Sequence, residues 1–229
     1  MPKGIQLSEN ALTVAQTRYY MNGENWETFT YRVADTISSA ELNNRNYHRT
    51  KFQEILYNKL FFCGGRILRN AGRNKGSLFN CYVLPIDDSI EEIGQFYKEA
   101  LILWSNGGGV GANFSSLRPK GDIILGKGGE SSGLLSFLMG ADALAPLIES
   151  GGNRRAAGLA CVDVSHPEVM DVINAKLVDG TLKYFNISIG INNNFLEAVE
   201  SDSDWTFKFK QKSYKTVKAR MIWDKILKI

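Results

Sequence analysis

The sequence is short of the features that mark several classes of protein. Its 229 residues hold three cysteines, an odd number with no C-x-x-C spacing, which excludes a disulfide scaffold and fits a reducing compartment. Neither of the two histidines, His48 and His166, stands at zinc-finger distance from Cys63, Cys81 or Cys161, so no metal site is expected. Long hydrophobic runs are absent: nothing approaches membrane-spanning length, and MPKGIQLSEN lacks the apolar core of a signal peptide. Charge of one sign is missing too. With 27 basic and 24 acidic residues the net charge is +3, too small to argue for nucleic acid or an anionic membrane. There is no repeat and no low-complexity tract. What remains is 44% hydrophobic and 22% charged, the composition of a globular cytoplasmic protein long enough to bury a core.

The periodicity changes along the chain. Residues 8–62 read as helical: Ser8 caps ENALTVAQTRYY, and Trp26, Phe29, Val33 and Ile37 recur at helical spacing. Tyr47, Phe52, Leu56 and Leu60 mark a third helix, stopped by Gly64-Gly65. From about residue 77 strand-like and helix-like segments alternate. LFNCYVLPI, VGANFSSL, DIIL, LACVDVS and LKYFNISIGI read as extended. SIEEIGQFYKEALILWSN, GLLSFLMGADALAPLIES, HPEVMDVINAKLV, NNFLEAVES and VKARMIWDKILKI read as helices, and WTFKFK alternates with period two. The first of those helices should bury Ile90, Ile93, Tyr97, Leu101 and Trp104. Strands separated by helices predict an α/β fold with a largely parallel sheet or barrel. The expected domains are 1–76, helical, and 77–229, α/β.

Several motifs have both a chemical and a structural reading. Cys81 lies inside the apolar run LFNCYVL, as a buried thiol or a redox group. Gly107, Gly109 and Ala112 satisfy G-x-G-x-x-A formally, but the helix precedes the glycines and the extended segment follows them, the reverse of a dinucleotide fingerprint. Consecutive glycines still leave backbone N–H groups uncovered for a phosphate, or else form a helix stop and a turn. Ser89 with Glu92 forms a capping box, and Asp87 and Asp88 suit the helix dipole. Alternatively Asp88 accepts hydrogen bonds from ribose hydroxyls and Arg118 meets a phosphate. ESGGNRRAAGLA makes a cationic glycine-rich loop, while Ser165 and Glu168 form a second capping box in which His166 belongs to the cap.

Taken in order, GGRILRNAG, LFNCYVLPIDDSIEEI, GGGVGANFSSLRPKG, SSGLLSFL, GGNRRAAGLACVDVSHPEV and FNISIG closely resemble the large, catalytic subunit of ribonucleotide reductases, over roughly residues 8–228. NCYVLPIDDS is most similar to the adenosylcobalamin-dependent class. The resemblance implies a helical N-terminal domain followed by the first half of a ten-stranded α/β barrel. It implies that Cys81 is a redox cysteine on the first barrel strand, with Asn80, Gly108 and Gly109 near substrate. Asp88, Ser89 and Arg118 would hold a specificity effector, a deoxynucleotide or ATP. Gly151, Gly152, Asn153, Arg154, Arg155, Ala156, Ala157 and Gly158 would form the loop that carries effector identity to the substrate base. Neither Cys63 nor Cys161 matches the family's partner for Cys81.

The family's Asn-x-Cys-x-Glu motif, which bears the radical cysteine, does not occur in these residues. The expectation is one chain of a split reductase, inactive until a second polypeptide supplies the rest of the barrel, with adenosylcobalamin in the completed enzyme. The alternatives are a non-catalytic deoxynucleotide-binding module and an inactive truncated fragment. A homodimer would use the helical residues near 90–104 and 131–149.

Overall fold

The computed structural model describes residues 7–228 except 75, 125, 127 and 151–153. The chain divides into two compact units, Met1–Asn80 and Cys81–Ile229. No described helix is long and apolar enough to cross a membrane.

The first unit is helical. Ser8 caps α1 (Glu9–Val14), which runs into a π-turn over Ala15–Tyr19. Asn25 and Thr28 make a reciprocal capping box at the start of α2 (Trp26–Ser38), whose Phe29 and Val33 are buried. α3 (Arg45–Tyr57) packs on α2 through Leu56. Here the sequence reading is corrected at one boundary. α3 stops at Tyr57, with Lys59 in the left-handed region at φ 58°, and Leu60 is 75% exposed. Gly64 and Gly65 instead open a short α4 (Gly65–Asn70). Arg32 ties the unit together. Its Nε donates to Glu24 at 2.6 Å, and its other nitrogens reach the carbonyls of Tyr19 and Ala71.

The second unit is built on a parallel sheet ordered β1 (Cys81–Val83), β2 (Gly109–Asn113), β5 (Gly158–Asp163) and β6 (Phe185–Gly190). α5 (Ile90–Ser105) crosses from β1 to β2, and α6 (Leu134–Leu144) lies between β2 and β5. The two-residue strands β3 (Glu149–Ser150) and β4 (Arg154–Arg155) pair antiparallel. α7 (Val169–Leu177) links β5 to β6, and α8 (Asn193–Glu200) leads to an antiparallel hairpin, β7 (Asp204–Phe209) with β8 (Lys212–Lys218). α9 (Ala219–Ile226) follows. The α/β expectation with a largely parallel sheet is met. Strand β8 was missed, although KSYKTVK is rich in the Thr, Tyr and Val that suit strands.

α5 turns slightly from the predicted face: Ile93 and Trp104 point inward as expected, and Tyr97 and Leu101 are half-buried against the core. Ile93, Phe96, Ala100 and Trp104 are buried, while Ile90 is 58% exposed. An aromatic chain explains the rotation: Phe96 meets Phe114 edge-on at 5.4 Å, Phe114 meets Phe185 at 6.3 Å, and Phe185 meets Trp104 at 6.2 Å. The indole of Trp104 also donates to the Ala157 carbonyl at 3.1 Å, fixing α5 against the approach to β5.

Candidate functional site

The parallel sheet gathers the predicted residues at two ends. Cys81 is the first residue of β1 and pairs in register with Gly109, the first of β2, and Gly158 opens β5. The residues that follow β1, β2 and β5 meet at the opposite, carboxyl ends. Five residues of β2 at ~3.3 Å rise separate the two groups by about 17 Å.

At the amino end Cys81 is an exposed, free thiol, which overturns the buried reading. Three residues make a strand here, far fewer than LFNCYVLPI suggested. Asn80, half-buried, closes the first unit: a Cβ on Gly64 would lie 2.6 Å from its amide nitrogen. The glycine run has a structural occupation. Gly107, at φ 73°, donates its N–H to Trp104 O at 2.7 Å, and Gly108 donates to Leu103 O at 2.9 Å, which together close α5 in a Schellman motif. The Gly108 N–H is therefore engaged in ending the helix. A Cβ on Gly108 would stand 2.8 Å from the Tyr82 ring and 3.3 Å from Leu103 O, so the position has no room for a side chain. Gly109 is left beside Cys81 at the amino end of the sheet.

Of the predicted specificity loop, Gly151, Gly152 and Asn153 lie outside the described residues. Arg154 and Arg155 form β4, and Ala156 and Ala157 run into Gly158. Ala157 O accepts from Val110 N at 3.0 Å as well as from the Trp104 indole.

At the carboxyl end Asp88 and Arg118 come together. Asp88 accepts from the Arg118 backbone N at 3.0 Å and from its Nε at 3.0 and 2.9 Å, and Lys210 Nζ approaches to 3.7 Å. Asp88 is thus not simply a helix-start acid; its carboxylate spans 30 residues to reach Arg118. Ser89 caps α5, its hydroxyl accepting from Glu92 N at 3.1 Å, but the Ser89 N–H goes to Asp87 O, so the box is one-sided. A cavity of about 560 Å³ opens beside them, lined by Asp87, Asp88, Ser115, Ser116, Asp163, Ser165, His166, Lys208, Phe209 and Lys210. Its place at the carboxyl ends of parallel strands is where α/β sheets carry ligands.

The second capping box is corrected. α7 starts at Val169, Ser165 N–H turns to Asp163 Oδ1 at 2.7 Å, and the Glu168 carboxylate leaves its own helix. Glu168 Oε2 accepts from Leu134 N at 2.7 Å and Lys120 N at 3.2 Å, and Oε1 from Leu135 N at 3.5 Å. It therefore caps α6 and joins both ends of the loop 120–133. Burial pushes this carboxyl above its ordinary value, an effect only partly offset by the three N–H donors. His166 is buried and held by Leu117 O at Nε2 and by Glu168 N at Nδ1, a structural arrangement that keeps the ring neutral. Burial lowers its pKa, against smaller upward pulls from Leu117 O and Asp163. Among the described residues no group of three His, Cys, Asp or Glu is placed to hold a metal ion.

Comparison with known proteins follows this division. Residues 5–76 match the family described as ribonucleotide reductase, all-alpha domain, and residues 79–229 match ribonucleotide reductase, barrel domain. A vitamin B12-dependent ribonucleoside-diphosphate reductase of Thermoplasma acidophilum is 36% identical over 184 residues, 79% of this chain and 24% of that protein. One from Mycobacterium tuberculosis (strain CDC 1551 / Oshkosh) is 36% identical over 207 residues, 86% of this chain and 30% of that protein. The ribonucleoside-diphosphate reductase subunit alpha of Helicobacter pylori is 31% identical over 160 residues, 68% of this chain and 20% of that protein. The chain spans between 20% and 30% of the length of these relatives. Its helical first unit and its parallel α/β second unit both match, and the chain belongs to the ribonucleotide reductase large-subunit family.

Proposed function

We propose that this chain supplies the reducing thiol and the effector site of a ribonucleotide reductase, in which its sheet is the first half of a ten-stranded barrel. The observation that carries the proposal is the separation along one sheet: an exposed thiol at the amino end and the Asp88–Arg118 pair beside a cavity at the carboxyl end. The relatives' names point to ribonucleoside diphosphates as the substrate class.

In this reading Cys81 is one of two thiols facing the ribose, with Asn80, Gly108 and Gly109 around the substrate. The 2′-hydroxyl leaves as water, two thiols give up two electrons and two protons, and a disulfide forms between their sulfurs. The second thiol and the radical-bearing cysteine come from polypeptide outside these residues, a partner chain that completes the barrel beyond the outer strands β1 and β6. Adenosylcobalamin, a form of the vitamin B12 on which the relatives' names make them dependent, would supply radical chemistry when bound. Asp88, Ser89 and Arg118 bind a deoxynucleotide or ATP, which requires the Asp88–Arg118 pair to open toward ribose and phosphate. The loop at 151–158 transmits the effector's identity to the amino end. Ile90, Ile102, Met139 and Leu147, exposed on or next to α5 and α6, suit a homodimer contact.

The test is reconstitution with a polypeptide carrying Asn-x-Cys-x-Glu, with and without adenosylcobalamin, assaying deoxynucleotide formation. Cys81→Ser should abolish turnover and leave deoxynucleotide binding intact, whereas Asp88→Ala should weaken that binding. Turnover that survives Cys81→Ser refutes the role of the thiol.

A further inference from the structure

The loop from Arg118 to Gly133 is rich in glycine. It carries five glycines, of which Gly121, Gly126, Gly128, Gly129 and Gly133 all have positive φ. Its Ile123 is 70% exposed. Backbone bonds from Gly121 N to Ser131 O, Ser131 N to Asp122 O and Ile124 N to Gly129 O make it a narrow ribbon. Among the described residues, side-chain hydrogen bonds and ion pairs tie it to the rest of the second unit at three points. Glu168 closes the neck, and Arg118 pairs with Asp88. At the third point Asp122 Oδ1 accepts from Lys212 Nζ at 2.6 Å and Oδ2 from the Tyr214 hydroxyl at 2.5 Å.

The third point is made by the β7–β8 hairpin, which is itself well anchored. Phe207 and Phe209 are buried, Trp205 stacks edge-on against Phe195 at 5.1 Å, and Lys208 N donates to Ser165 O at 2.7 Å. The hairpin turn also presents Lys210 to Asp88. The connection to Arg118 is short. Arg118 donates through Nη1 to Ile123 O at 3.0 Å, and Ile123 is the residue after Asp122. Moving Asp122 moves the carbonyl that steers the guanidinium.

We infer that the β7–β8 hairpin is a clamp on this loop, with Asp122, Lys212 and Tyr214 acting as positioning residues that keep Arg118 at the cavity, within reach of the phosphate of a nucleotide effector once its pair with Asp88 opens. The inference rests on the effector site proposed above, and it adds to that site a regulatory element distant in sequence.

The experiment compares the full chain with Lys212→Met, Tyr214→Phe, the double variant and the conservative Lys212→Arg. Amide hydrogen exchange of residues 121–131 without nucleotide reads the clamp; calorimetric titration with dATP and dTTP reads its consequence. For the double variant the expectation is exchange about fivefold faster and nucleotide affinity about fivefold weaker, since the tethers are charge-assisted but partly solvated. The urea midpoint should stay near the wild-type value, and Lys212→Arg should restore both readouts. A purely structural role would lower the midpoint and spare affinity. Unchanged exchange overturns the clamp, as does equal affinity in variant and wild type. If the wild type binds neither nucleotide while exchange still rises in the variants, the clamp stands and the effector reading is what fails.

Discussion

Removing the Glu168 carboxylate should cost the second unit more stability than its place at the start of α7 suggests. The side chain is 6% exposed and serves donors 33 to 48 residues away. In Glu168→Ala the buried Leu134 N–H, bonded at 2.7 Å, loses its acceptor outright. An unsatisfied buried donor costs about 1–3 kcal/mol. The half-buried Leu135 N–H, bonded at 3.5 Å, adds less, and Lys120 is exposed enough to find water. Loss of a negative charge at the α6 N-terminus adds about 0.5–1 kcal/mol. Relief of the carboxylate's own burial works the other way, so a net loss of about 3 kcal/mol is expected. Glu168→Gln keeps one oxygen for the Leu134 and Lys120 donors and should lose only about 1 kcal/mol. Equilibrium urea unfolding followed by tryptophan fluorescence measures both. An alanine variant within 1 kcal/mol of wild type, or a glutamine variant as damaged as alanine, refutes the reasoning. The pH dependence supplies a second check. The folded carboxyl titrates above its ordinary 4.5, so between the two values the unfolded state binds fewer protons, and this group's contribution falls as pH rises through that window. Glu168→Gln should remove that component.

Three further outcomes follow from the same geometry. His166 titrates below its ordinary 6.5 when folded, so acidification protonates the unfolded state first and stability falls as pH drops below 6.5; urea midpoints at two pH values on either side should differ less in His166→Gln. A methyl on Gly158 would sit 2.5 Å from two atoms of the fully buried Phe185 ring, so Gly158→Ala should lose about 1–3 kcal/mol in thermal unfolding. Brief maleimide treatment with peptide mapping should mark the exposed Cys81 before the half-buried Cys63, whose thiol burial pushes up; equal labelling would contradict the placement of Cys81.

What the sequence determined by itself is what acts over one or two turns of chain. Ser8 and Ser89 start helices, Phe29 and Val33 recur on one face, and strands alternate with helices, so the helical first part and the parallel α/β second part were legible. The ordered motifs also carried the family. The tertiary structure decided the rest. Whether Glu168 caps α7 or α6, whether Asp88 serves its own helix or Arg118, and whether Asp122 meets Lys212 depend on neighbours 34, 30 and 90 residues away. The face α5 buries keeps helical spacing, but the aromatic rings of β6 and the β2 end, which meet Trp104 and Phe96, decide how far that face is turned. Local pattern fixes dihedrals and caps, because those interactions span four residues or fewer. A carboxylate's partner is set only when the sheet register brings distant donors within 3 Å, and no local pattern records that register.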